Sequence, residues 1–153
     1  MGRAWRIVNR KFADHAFDGE GARLYGSRWT SPGLAVSFAA ENLSLAVLEV
    51  LVHIQSSVPL ADYVVFNVAF SDDLIEDLDP SILPPTWRHS PAPPELQAIS
   101  DAWVRGGSSL LLRVPSVIVP HEHNFVINPA HPRFVGLIIQ GPDPLVIDPR
   151  IFR

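Results

Sequence analysis

Fifteen prolines set the first limit on this chain. That is about twice the usual frequency, and a proline removes a backbone donor and interrupts any helix interior or central strand in which it falls. The prolines gather between Pro80 and Pro94 and between Pro115 and Pro149, so those regions are expected to be ordered loops and short strands. At 153 residues with 47% apolar content, the chain suits one domain, residues 1–153, with a sizeable core. It has no cysteine, which removes disulfides and thiolate metal sites and fits a reducing compartment. The start, Met1 to Arg6, lacks the apolar run of an export signal, and no segment approaches the roughly 18 apolar residues of a membrane span. A cytoplasmic chain outside the membrane is expected. Twelve basic residues spread along a chain of net charge -4 offer no clustered basic face, which argues against direct nucleic-acid binding. Charged residues make up only 18%, below the typical quarter, and a protein partner would account for the shortage.

Along the chain, Trp5 to Val8 reads as a strand, and Gly19 to Gly33 as a glycine-bearing loop of the kind that carries function. After the apolar run Leu34 to Ala40, Asn42 is the expected N-cap of a helix from Leu43 to about Gln55 that is buried on most sides. Tyr63 to Phe70 has the valine-rich alternation of a strand. A parallel or mixed sheet around the helix follows. Asp77 to Pro94 is a surface connection with Trp87 pinning it to the body. Pro94, then Leu96, Ile99, Ala102 and Trp103, then Gly106-Gly107, describe a short amphipathic helix. Leu110 to Val114, Val117 to Val119, Phe125 to Ile127 and Phe134 to Ile139 read as four strands.

Glu49 is the sharpest anomaly, because no other charged residue lies between Glu41 and Asp62. A carboxylate among Ala46, Val47, Leu48, Val50 and Leu51 is costly to bury unless donors or a cation hold it, so a site that retains one tends to use it. The plain alternative is a narrow exposed stripe shared with His53. Arg28, in Tyr25-Gly26-Ser27-Arg28-Trp29-Thr30, has the fork of donors that clamps a phosphate or carboxylate, or it is simply solvated. Ser116, after Val114-Pro115, caps a turn or faces a ligand. Asn124 and Asn128 either position a ligand or end a strand. His121, Glu122, His123 and His131 carry metal-ligating groups, yet no zinc-peptidase pattern surrounds them. A metal-dependent hydrolase using the His121/His123 region therefore stays open as an alternative, as does a non-catalytic protein-binding module.

In order and local wording these blocks resemble the RES domain, the toxin half of many bacterial toxin-antitoxin pairs. The resemblance rests on Gly26-Ser27-Arg28-Trp29, on Ala39-Ala40-Glu41 leading to Leu48-Glu49-Val50-Leu51-Val52-His53, on Val114-Pro115-Ser116, and on Asn124 through Asn128-Pro129-Ala130-His131-Pro132. It spans most of the chain. It implies an α/β (α+β) fold related to ADP-ribosyltransferases, with a split β-sheet and a few helices around a cleft for NAD+. NAD+ is then the substrate, with no metal required, and the partner is an Xre-type helix-turn-helix antitoxin in a hetero-oligomer. Arg28, Glu49 and Ser116 carry over as the family's named trio. One departure is Phe38, where many relatives have a tyrosine; the ring remains and the hydroxyl is lost.

The implied chemistry is cleavage of the nicotinamide-ribose bond and transfer of ADP-ribose to a target protein, phosphate or water, stopping growth. Glu49 would stabilise the cationic ribose of the transition state. Arg28 would anchor the pyrophosphate, Ser116 would orient the ribose or the carboxylate, and Phe38 or Trp29 would stack on a ring, with Asn124 also at the ligand.

Overall fold

The computed structural model describes residues 1–54 and 60–152. In chain order the strands are β1 (Gly2–Asn9), β2 (Ser37–Ala40), β3 (Tyr63–Phe70), β4 (Ile75–Asp77), β5 (Leu111–Pro115), β6 (His123–Ile127) and β7 (Ile138–Pro144). The helices are α1 (Glu20–Tyr25), α2 (Leu43–Leu51) and α3 (Pro94–Gly106). The strands form one mixed sheet in the order β4-β5-β6-β2-β1-β3-β7. β4 runs parallel to β5, and every other neighbour is antiparallel. The fold is therefore mixed α+β, as the resemblance implies.

The middle of the sheet is its weakest seam. β1 pairs with β3 from Gly2↔Phe70 to Asn9↔Tyr63, whereas β1 and β2 meet only at Trp5↔Ala40. Arg6 fills the opening: its Nε donates to the Ala16 carbonyl at 2.6 Å and its Nη1 to the Phe38 carbonyl at 3.0 Å. A strand carbonyl without a ladder partner thus gains a charged donor instead. Burial pulls the Arg6 guanidinium down to about 10, against the pull of Asp18 in the other direction.

Residues opposed across a ladder face the same side of the sheet. One face carries Ala4, Val8, Val64, Phe66, Val68, Phe70, Ala39, Leu111, Phe125 and Ile127, which form a continuous core with Phe17. The other face carries two separate clusters. Leu45 and Ala46 of α2 pack on Ile7 and Ala40, while Leu96 and Trp103 of α3 pack with Trp29, Val36, Leu112, Val114 and Val126. Ala40 of β2 and Asn124 of β6, which oppose each other, lie on this face where the two clusters approach.

Local sequence explains the ends of the helices and several departures from expectation. The Asn42 side chain accepts from the Leu45 amide and starts α2 as expected. Helix α2 is covered on one side only: Leu45 and Ala46 are buried, while Leu43, Leu48 and Val52 are exposed, because among the described residues it lies as a single layer on the sheet. Its expected end at Gln55 falls outside the described residues. Gly107, at φ 64°, caps α3 by returning its amide to Trp103, a left-handed position that favours glycine. The expected strand at Val117 to Val119 is a turn, since the Ser116 hydroxyl accepts the amides of Ile118 and Val119. Phe134 to Ile139 divides in two. His131 caps a 3-10 turn over Pro132–Gly136, and β7 starts only at Ile138.

Candidate active site

Glu49 stands one turn beyond Leu45 and Ala46 on α2, so it leaves the helix at the border of the buried face. It is half-buried and turned toward the sheet, while His53 is exposed; the exposed stripe shared with His53 does not describe this helix. Glu49 Oε1 accepts two hydrogen bonds, from Ser116 Oγ at 2.8 Å and from Asn124 Nδ2 at 2.7 Å. Both donors are neutral. They fix the carboxylate without setting a cation directly on it, and among the described residues Oε2 accepts no hydrogen bond.

The two donors come from adjacent strands. Asn124 lies in β6 between Ala40 of β2 and Val114 of β5, on the face that carries α2. Ser116 follows β5 and is fully buried. Its hydroxyl donates to Glu49 and accepts from Ile118 and Val119, both at 3.1 Å. A hydroxyl has one proton and two lone pairs, so its capacity is filled. Ser116 is thus arranged to hold Glu49, with no exposed surface for a ligand.

Arg28 approaches from the other helix cluster. Its loop is fastened to α3, where Asp101 accepts from the Ser31 amide at 2.9 Å and the Ser31 hydroxyl at 2.6 Å, and Gln97 donates to the Ser27 carbonyl at 2.8 Å. Arg28 Nη1 donates to the carbonyls of Trp87 and His89 at 3.0 and 2.6 Å. Burial lowers the affinity of this guanidinium for its proton, and the Glu49 carboxylate opposes that shift. Nε and Nη2 of Arg28 have no acceptor among the described residues, which leaves two nitrogens of the fork, with three N–H groups, for a ligand.

Two aromatic residues divide between core and site. Trp29 is 5% exposed and packs against Trp87 at a ring separation of 6.2 Å, so its ring belongs to the core rather than to a ligand surface. Phe38 is half-buried. It lies two residues before Ala40 in β2, and so shares the face of Asn124.

The histidines do not converge on one point. His121 is exposed, His123 Nδ1 stands 3.5 Å from Glu41, and His131 Nδ1 accepts from the Arg133 amide. Glu122 accepts from the Asn42 side chain. Among the described residues no three His, Asp or Glu side chains gather closely enough to hold a metal ion. A separate cleft of about 430 Å³, lined by Asp77, Leu83, Trp87, Arg113, Pro115 and His123, does not include Glu49. The Arg113 fork there is already filled by Asp77.

A link that sequence reasoning missed runs from Asn42 to Glu122 at 2.9 Å. Asn42 is readable as a cap and Glu122 as one of a histidine-flanked group, but their contact joins residues 80 positions apart and has no local signature.

Comparison with known proteins agrees with this architecture. A family profile described as the RES domain matches residues 3–148. A protein named Toxin Res from Yersinia enterocolitica is 39% identical over 96% of this chain and 97% of its own length. One named Prs ADP-ribosylating toxin, from a Sphingobium species, is 36% identical over 97% of this chain and 96% of its own. Among solved structures, a chain of the M. tuberculosis MbcT-MbcA toxin-antitoxin complex superposes with a TM-score of 0.74. That match covers 99% of this chain and 86% of the other at 20% identity, and so speaks for the fold.

Proposed function

The chain belongs to the RES domain family, and from that premise we propose that it is the toxin of a toxin-antitoxin pair that cleaves the nicotinamide-ribose bond of NAD+. ADP-ribose then passes to an acceptor. The observation that carries this reading is the Glu49 carboxylate, held at one oxygen by two neutral donors.

Nicotinamide leaves as a neutral ring while positive charge builds on the ribose, as in glycoside cleavage. A carboxylate fixed before the reaction stabilises that charge without reorganising. Glu49 Oε1 is held by Ser116 and Asn124, so Oε2 is the atom that faces the cationic ribose or bonds its hydroxyl. Ser116, fully buried and fully engaged, acts through Glu49 rather than on the ribose. The free donors of Arg28 anchor the pyrophosphate, and Phe38 supplies the ring on which a base or nicotinamide stacks.

The name of the Sphingobium relative favours transfer of ADP-ribose over hydrolysis, so a target protein is the preferred acceptor, with phosphate and water as competitors. The matched mycobacterial chain comes from a complex with an antitoxin, which supports an antitoxin partner here; its Xre type rests on the resemblance alone. The site of action is the cytoplasm, where NAD+ is at hand. Nicotinamide release from NAD+ is to be followed with the protein alone, with phosphate, and with lysate, beside Glu49→Gln. Release that depends on Glu49 supports the reading, and the condition that accelerates it identifies the acceptor. Absence of release under all three conditions, with Glu49→Gln as toxic as the parent, overturns it.

A further inference from the structure

Glu49 is held by residues 67 and 75 positions away in sequence, so its position depends on how α2 is fastened to the segment that carries them. The packing of α2 is thin, with two buried residues and an exposed outer side. The helix end is instead stitched directly to that segment. Asn42 uses both ends of its amide: Oδ1 accepts from the Leu45 amide at 2.7 Å, and Nδ2 donates to Glu122 Oε1 at 2.9 Å. Glu122 in turn closes the Ser116 turn, its carbonyl accepting the Ser116 amide and its own amide donating to Val119, both at 2.9 Å. Beside it, the Glu41 side chain accepts from the His123 amide at 2.9 Å.

These contacts form a ring. It runs from Glu49 to Ser116, through the turn to Glu122, across to Asn42, and back along about two turns of α2 to Glu49. We propose that Asn42 and Glu122 are positioning residues for the Glu49 carboxylate, acting as a clasp between the start of α2 and the Ser116 turn. Releasing the clasp lets the helix start and the turn shift relative to each other, and both shifts fall on the Glu49–Ser116 contact. A misplacement of about 1 Å in a reacting group can cost the chemical step about 100-fold. Capping α2 needs only Asn42 Oδ1, so the Nδ2 contact is separable from helix stability. The clasp acts through Glu49, and the inference therefore rests on the function proposed above.

Asn42→Asp keeps the capping oxygen but sets a carboxylate against Glu122. Glu122→Gln keeps an oxygen that accepts from Asn42. The pair Asn42→Asp with Glu122→Gln restores the contact with donor and acceptor exchanged. Nicotinamide release from NAD+ by the four proteins, at a temperature where circular dichroism shows all of them folded, is expected to give a kcat about 10- to 100-fold lower for Asn42→Asp. KM is expected to stay within about twofold, and both Glu122→Gln and the double variant are expected to lie near wild type. Amide exchange at Ile118 and Val119, which bond the Ser116 hydroxyl, is expected to quicken in Asn42→Asp and slow again in the double variant. Unchanged kcat in Asn42→Asp, or failure of the double variant to recover, overturns the clasp. If Asn42→Asp does not fold, Glu122→Ala against Glu122→Gln makes the same comparison, and equal kcat in those two overturns it. A wild type that releases no nicotinamide counts against the proposed function instead, and the exchange rates then decide the clasp alone, with unchanged rates overturning it.

Discussion

Two neutral donors on one oxygen of Glu49 make Ser116 and Asn124 agents of orientation rather than of charge. Ser116 is the more consequential, because the same hydroxyl satisfies the amides of Ile118 and Val119. Ser116→Ala leaves those two part-buried amides and the carboxylate each short of a partner. It is expected to cost about 1–3 kcal/mol of stability in denaturant titration and to slow nicotinamide release beyond what that loss explains. A serine that touched only the ribose would weaken substrate binding and leave stability nearly intact. From sequence, Glu49 was readable as an anomaly of charge in an apolar run, but the oxygen that is engaged and the donors that engage it are consequences of tertiary register. Trp29 shows the converse. Its place beside Arg28 suggested a ligand contact, and the packing of α3 with the Trp87 loop claims its ring for the core.

At the scale of elements, what periodicity and punctuation encode came through, and what depends on side chains reaching around a turn did not. β3 runs from Tyr63 to Phe70 as its valine alternation requires, and α3 has its proline start and glycine stop where expected. β4 was missed because three residues carry no period, and its pairing is parallel to a strand more than 30 residues on. α1 was missed because Gly19 and Gly26, which bracket it, read as loop. Gly26 is a point at which backbone freedom is required. At φ 71° and ψ −175° it occupies a region essentially closed to other residues, and a Cβ there would meet Pro32 Cδ at 2.9 Å. Gly26→Ala is expected to destabilise the protein by about 1–3 kcal/mol, visible as a lower denaturation midpoint, and to loosen the loop that holds Arg28. The β4 edge carries a pH signature. The Arg113 fork holds the Asp77 carboxyl below its ordinary 3.8, so the pair stabilises the fold above that pH and loses this contribution as the pH falls through the lowered value. The stability gap between wild type and Arg113→Met is therefore expected to be present at pH 7 and to shrink under acid. Denaturant midpoints across that range check it; a gap constant with pH would mean that the ion pair contributes nothing.

Across the whole molecule, the sheet and its two helix clusters bring the three residues of the family resemblance toward one face from three separate stretches of chain. Arg28 comes with the cluster of α3, Glu49 with α2, and Ser116 from the end of β5. The mixed fold and the family were readable from the order of short blocks, because each block is local. The seam between β1 and β2, bridged by Arg6, was expected only in outline as a split sheet, since it depends on a buried arginine substituting for ladder bonds. The central claim is that this architecture serves to present Glu49 to a ribose that becomes cationic. Glu49→Gln tests it most directly, because glutamine keeps an oxygen for Ser116 and Asn124 while it removes the charge and puts an amide nitrogen in place of the oxygen that faces the ribose. Nicotinamide release from NAD+ by wild type and Glu49→Gln, both verified as folded, is predicted to differ by about 100-fold or more. Equal release by the two proteins would contradict the account.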